Sequence, residues 1–386
     1  MIKKTLKEGV NLVYLPGDKF KTVYIRLNIY RPMGAEAAKN ALLARVLKAG
    51  SKKYDKMQLE QELESLYGAA LGVSVNKSGD VQVLSFSISL PSDRYTGEGT
   101  SAKAARLLSE VVLNPDICGD AFKKETVAVE KNNLKSLIES VFNDKKDYAE
   151  QRCTEIMFEN QSFAIHELGS VTELEKIDEK SLKVHYDRIF SESRIDVFVS
   201  GSCDIDAVSR VFDGVKSSLT IPVNKDVNEK TEVKTVMESQ EVNQGKLMMG
   251  FKTDIDPVSD DYYKLLVFNS VYGSGTHSKL FCNVREKLSL AYYAYARLNR
   301  YKSVIMVGSG IEFEKFEMAK SEILLQLDQI REGNVTEFEL SSAKKSLINA
   351  YKSMEDEPAR IISAKTGGAI LGEEISIDEI AKALTV

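Results

Sequence analysis

Cysteine and histidine are scarce in this 386-residue chain, which holds four of the first and three of the second. Cys118, Cys153, Cys203 and Cys282 are widely scattered and form no Cys-x-x-Cys pair, which excludes a zinc ribbon and a thioredoxin-type motif. They read as reduced structural thiols. His166, His185 and His277 have no metal-type spacing, and each reads as an ordinary surface or loop histidine. No apolar run approaches the roughly 18 residues of a membrane span. The start, MIKKTLKEGV, carries charges but no apolar core long enough for a signal peptide, so cytoplasmic residence is the expectation. The net charge is −5, with lysines spread beside acidic residues, so no nucleic-acid footprint is visible. Familiar catalytic fingerprints are missing as well. There is no Gly-x-Ser-x-Gly elbow and no P-loop, and Gly273-x-Gly275 is too short for a dinucleotide fingerprint.

What the chain does have is a repeat. With 43% hydrophobic and 28% charged residues it reads as an ordinary globular protein whose length exceeds one comfortable core. One pass runs through a strand at 81–90 (VQVLSFSISL), a helix at 101–113 and, after Pro115, a long helix from 120 to about 141. A second pass runs through a strand at 303–311 (SVIMVGSGI), a helix at 314–331, a short turn and a long helix from 336 to about 354. Lys-Ser-Leu-Ile recurs in the middle of both long helices, at 135–138 and 345–348. Matching order, length and local sequence indicate a duplicated domain.

The expected division is a first domain at 1–215, a polar linker at 216–244 and a second domain at 245–386. The second half stops short of the closing helix and strand that follow in the first, so a truncated second domain is expected. Leu84, Phe86, Ile88 and Leu90 alternate with serines, a pattern that fits a sheet covered on one face. The fold class is therefore α+β: two homologous domains, each a mainly antiparallel β-sheet with helices packed on one face.

The most informative run is SKLFCNVREKLSLAY at 278–292, a short helix that turns directly into an aromatic strand. It sets the Arg285 guanidinium and the Tyr292 phenol seven residues apart across the turn. A forked donor and a rigid hydroxyl can grip a peptide carbonyl. The longer segment 273–292 resembles the second-domain signature of the pitrilysin/insulinase family of zinc peptidases, which includes mitochondrial processing peptidase. VNQGKLMMGF at 242–251 and Asp261-Tyr-Tyr-Lys264 are similar to that family's second-domain entry strand and first helix. The resemblance covers both halves. It implies that Arg285 and Tyr292 act on substrate carbonyls and on the charge that develops there during hydrolysis.

The same resemblance calls for His-x-x-Glu-His on a first-domain helix and a further Glu on the next long helix. The matching place reads Ala41-Leu42-Leu43-Ala44-Arg45. Both histidines are missing, Ala44 stands where the general base belongs, and Arg45 puts a fixed positive charge where Zn²⁺ would sit. The further carboxylate position falls on Ser136 or Leu137, with Glu130 and Glu139 reading as solvated helix-face charges.

The expectation is a chain that is not an enzyme on its own and carries no metal or cofactor. It would be the zinc-less subunit of a metallopeptidase heterodimer, forming half of a peptide-binding chamber and donating Arg285 and Tyr292 to the site of an active subunit of similar size. Its ligand would be a peptide or small unfolded polypeptide, with no nucleic-acid or membrane partner. The alternative is a peptide-binding or scaffold protein with no role in proteolysis. An autonomous metallopeptidase with unorthodox ligands is the third reading.

Overall fold

Alternation in the sequence becomes alternation across a sheet. The computed structural model describes residues 1–221, 232–374 and 376–385, which form two compact units. In the first, strands β1 (Ile2–Thr5), β2 (Asn11–Leu15), β3 (Thr22–Pro32), β4 (Ala70–Ser78), β5 (Val81–Pro91) and β6 (Arg194–Ser200) make one sheet. Their order is β1-β2-β6-β3-β5-β4, antiparallel throughout except between β2 and β6. Val23, Ile25, Leu27 and Ile29 of β3 point into the core beside Leu84, Phe86 and Ile88 of β5. Burial of each such side chain contributes about 1.5–3 kcal/mol.

Helices α1 (Ala37–Lys48), α2 (Thr100–Leu113) and α3 (Lys124–Ser140) complete this core with Leu42, Leu43, Leu108, Val112 and Leu134. Helix α1 buries most of its surface, and its small Ala41 and Ala44 permit close packing.

The second unit repeats the plan in reduced form. Strands β7 (Gly245–Lys252), β8 (Ala291–Asn299) and β9 (Val304–Ile311) form an antiparallel sheet in the order β8-β9-β7. Helices α4 (Asp261–Gly273), α5 (Leu280–Lys287) and α6 (Phe316–Arg331) supply Leu265, Tyr272, Leu280, Val284, Ala319 and Ile323 to a core against Ile305, Val307 and Ile311. Helix α7 (Glu337–Met354) starts on a capping box in which Thr336 and Glu339 satisfy each other's backbone N–H groups. The mixed α/β architecture, with antiparallel-dominated sheets and packed helices, is the class read from the sequence.

Residues 141–164 lie inside the stretch expected as the first domain, yet their contacts join them to the second unit. Helix Lys145–Met157 and the turn after it bring Phe158 and Phe163 against Val304 and Met306, the β9 side chains that alternate with the core-facing Ile305 and Val307. Apolar burial on this second sheet face holds the segment there. Of the linker expected at 216–244, residues 222–231 fall outside the described residues. The part at 232–244 forms no helix or strand and is pinned by Glu238, which pairs with Arg152 at 2.9 Å and accepts from the Tyr148 hydroxyl at 3.1 Å. Among the described residues, no helix is long and apolar enough to cross a membrane.

Candidate functional site

Two local irregularities turn Arg285 and Tyr292 outward. Helix α5 is wound as a π-helix, with the Leu288 N–H donating to the Asn283 carbonyl at 3.1 Å. π-helical turns are rare and often accompany functional positions. Leu280 and Val284 face the core, which leaves Arg285 on the open side. Its guanidinium stacks 4.8 Å from the centroid of the Phe281 ring and lies 3.5 Å from the Glu286 carboxylate. After Ser289, which takes the left-handed backbone conformation at φ 49°, the chain enters β8.

There the register slips by one residue. Ala291 pairs with Ile311 and Tyr293 with Gly310, so Tyr292 is the unpaired residue of a β-bulge. A bulge re-aims a side chain without breaking the sheet. Tyr292 is 55% exposed, while Ala294 and Ala296 downstream return to the core.

Arg285 and Tyr292 line one open cleft of about 430 Å³ together with Glu286, Ser289, Glu312 and Lys315. The Lys315 ammonium donates to the Ser289 carbonyl at 3.2 Å and to Glu312 at 3.1 Å, tying the turn before β8 to the end of β9. Two cations face two carboxylates in this cleft. Such balance suits a neutral polar group, such as a peptide carbonyl, better than a free anion.

In the first unit the motif helix has no metal chemistry. Ala41 and Ala44 are fully buried and offer only methyl groups. Arg45 Nε donates to Glu130 Oε2 at 3.0 Å, bridging α1 and α3. Glu130 was expected as a solvated helix-face charge. Instead its side chain is only 18% exposed, and its carboxylate also accepts from Asn133 at 3.4 Å while it meets Arg45 of the motif helix. Ser136 and Leu137, the positions expected to match the further ligand, are exposed on α3. Two methyl groups and a guanidinium cannot hold Zn²⁺, so the residues present do not fit the metal. Among the described residues, no group of three or more His, Cys, Asp or Glu side chains is arranged to hold a metal ion.

The histidines do other work. His166 accepts from the Leu168 N–H at 3.1 Å in the turn before Gly169, and His277 Nε2 lies 3.2 Å from Ser270 Oγ. His185 departs from the reading as a surface histidine: it is 2% exposed, with Nε2 2.6 Å from Asn40 Oδ1. Burial and the nearby Arg31, Lys39 and Arg188 lower its pKa to about 4, against the opposing pull of Glu36. The sequence did hold a signal for this. Leu182, His185, Tyr186 and Ile189 fall on one helical stripe, all buried. The four cysteines are unpaired, and burial raises Cys153 to about 11 and Cys203 to about 12, which keeps both as thiols.

Residues 176–347 match the family model described as the peptidase M16 inactive domain. Over 354 residues the chain is 34% identical to the probable inactive metalloprotease YmfF of Bacillus subtilis, covering 90% of this chain and 83% of that protein. Among solved structures, a conserved protein from Enterococcus faecalis superposes with a TM-score of 0.86 at 27% identity, covering 99% of this chain and 92% of that one. The peptidase M16 inactive domain from Pseudomonas fluorescens gives a TM-score of 0.77 at 18% identity, covering 99% and 90%.

Proposed function

The chain belongs to the M16 peptidase family, that of pitrilysin and insulinase, as an inactive homologue of its zinc metallopeptidases; from that premise we propose that it is the zinc-less subunit of a two-subunit peptidase. In this reading it forms half of a peptide-binding chamber. A second chain of similar size supplies the metal site, and Arg285 and Tyr292 act on the bound peptide. Cytoplasmic residence accords with four unpaired cysteines.

The observation that carries this reading is an asymmetry. The motif helix of the first unit has only Ala41, Ala44 and Arg45 at the motif positions, while Arg285 and Tyr292 stand together on an open cleft of the second. The phenol and the guanidinium each donate to a carbonyl oxygen, and such donors gain strength as negative charge develops on it. The planar fork of Arg285 is held by Phe281, so little freedom is lost when it grips a ligand.

Co-expression with a similar-sized chain bearing His-x-x-Glu-His tests the proposal. The expected result is co-elution on gel filtration and peptide hydrolysis that falls by about 10²-fold with Arg285→Ala or Tyr292→Phe. Two separate monomers with no gain in hydrolysis would overturn it. A second reading, a peptide-binding scaffold, draws on the engagement of Arg285 with Phe281 and Glu286, which already occupies part of its donor capacity. Co-elution with hydrolysis unchanged by either substitution would favour that reading.

A further inference from the structure

The helix pair α1 and α3 has not left Glu130 as an unpaired charge. Glu130 projects from α3 into the α1–α3 contact, where its side chain is 18% exposed and its carboxylate meets the Arg45 Nε at 3.0 Å. A partly buried carboxylate without a partner is strongly destabilising. We propose that Arg45 is the built-in cation of this site: it neutralises Glu130 and clasps α1 to α3, so the first unit folds independently of metal.

Helical geometry supports this. Residues four apart share a face, so position 41 lies on the face from which Arg45 reaches Glu130. Ala41 is buried and contributes only a methyl group, leaving Arg45 as the only polar side chain of the motif positions. Guanidinium is permanently charged, planar and weakly hydrated, which makes it a suitable ion to leave in a partly buried pair. It also repels any divalent cation. Imidazoles at 41 and 45 would remove that repulsion and, with Glu130, create the two-His, one-Glu donor set that zinc accepts.

The test uses the full chain and Co²⁺, whose visible absorption reports ligand geometry, with Zn²⁺ calorimetry alongside. The wild type is expected to bind neither ion. The A41H/R45H variant is expected to bind one ion per chain, and adding Glu130→Gln should weaken that binding by about tenfold or more. Binding by the wild type, binding indifferent to Glu130→Gln, or a folded A41H/R45H variant that binds nothing would overturn the proposal. Because position 41 is tightly packed, a thermal-melting cycle of Arg45→Ala, Glu130→Ala and the double variant gives an independent readout. Non-additive shifts in the melting midpoint support the clasp, and strictly additive ones overturn it.

Discussion

Tyr293 lies flat against Gly310, so close that a Cβ built on the glycine would stand 2.5 Å from the ring. Tyr295 covers Gly308 in the same way, also at 2.5 Å. The two rings stack with centroids 5.9 Å apart, and Tyr295 donates to Glu150 at 3.1 Å. The Lys146 ammonium lies over the Tyr295 ring, 4.7 Å from its centroid. A bare glycine stripe on β9 therefore fixes the strand that carries the bulged Tyr292.

Gly310→Ala should destabilise the protein by about 1–3 kcal/mol, because the new methyl group forces the ring or the strand to move. An ordinary strand interior gives the opposite sign, a gain of about 0.5–1 kcal/mol on removing glycine. Urea unfolding separates the two cases. Adding Tyr293→Ala should make Gly310→Ala less harmful, and a neutral or stabilising single variant would show that the contact does not hold the strand.

Lys279 sits immediately before α5 and reaches Glu339 on α7 at 2.9 Å, with both side chains largely buried. Glu339 also accepts from the Thr336 N–H at 2.8 Å, so one carboxylate serves a helix cap and an ion pair. Lys279→Met is expected to cost about 2–3 kcal/mol, below a fully stranded buried charge because the cap remains. Replacing both partners, as Lys279→Met with Glu339→Gln, should cost less than the sum of the two single changes in chemical denaturation.

The segment 278–292 was legible because its residues are consecutive, and so was the repeat, because hydrophobic period reports local structure. Three features were hidden for a physical reason. Nothing local in residues 141–164 states which sheet their apolar side will cover, since that depends on Val304 and Met306 far along the chain. The bulge at Tyr292 leaves the composition of β8 unchanged and appears only when its register against β9 is known. Glu130 looks like any helix-face acid until α1 brings Arg45 to it across 85 residues of sequence.

Arg285 offers a test of geometry as opposed to charge. Its guanidinium stacks on Phe281, which a lysine ammonium cannot reproduce with the same planar fork. In the co-expressed pair, Arg285→Lys should retain the complex on gel filtration yet lose about tenfold in peptide hydrolysis, between wild type and Arg285→Ala. Full activity with lysine would mean that charge alone suffices at this position.

His185 makes the stability of the first unit depend on pH. Its Nε2 donates to Asn40 Oδ1 at 2.6 Å, Asn40 donates to Gln82 at 2.7 Å, and Gln82 donates to the Glu167 carbonyl at 2.6 Å. Nδ1 must then accept, and the Arg188 guanidinium supplies a donor at 3.3 Å. Protonation at Nδ1 would set two donors against each other in a buried pocket. Burial, with Arg31, Lys39 and Arg188 nearby, accordingly places the folded-state pKa at about 4, below the ordinary 6.5, while Glu36 pulls the other way. As pH falls below 6.5 the unfolded chain takes up this proton before the folded one does. The stabilisation is therefore full above that pH and lost progressively toward the folded-state value, by at most about 3 kcal/mol. Urea unfolding across that window should show the decline. His185→Gln, which keeps a donor for Asn40 but cannot titrate, should flatten it, and an unchanged pH slope in that variant would assign the decline to other groups.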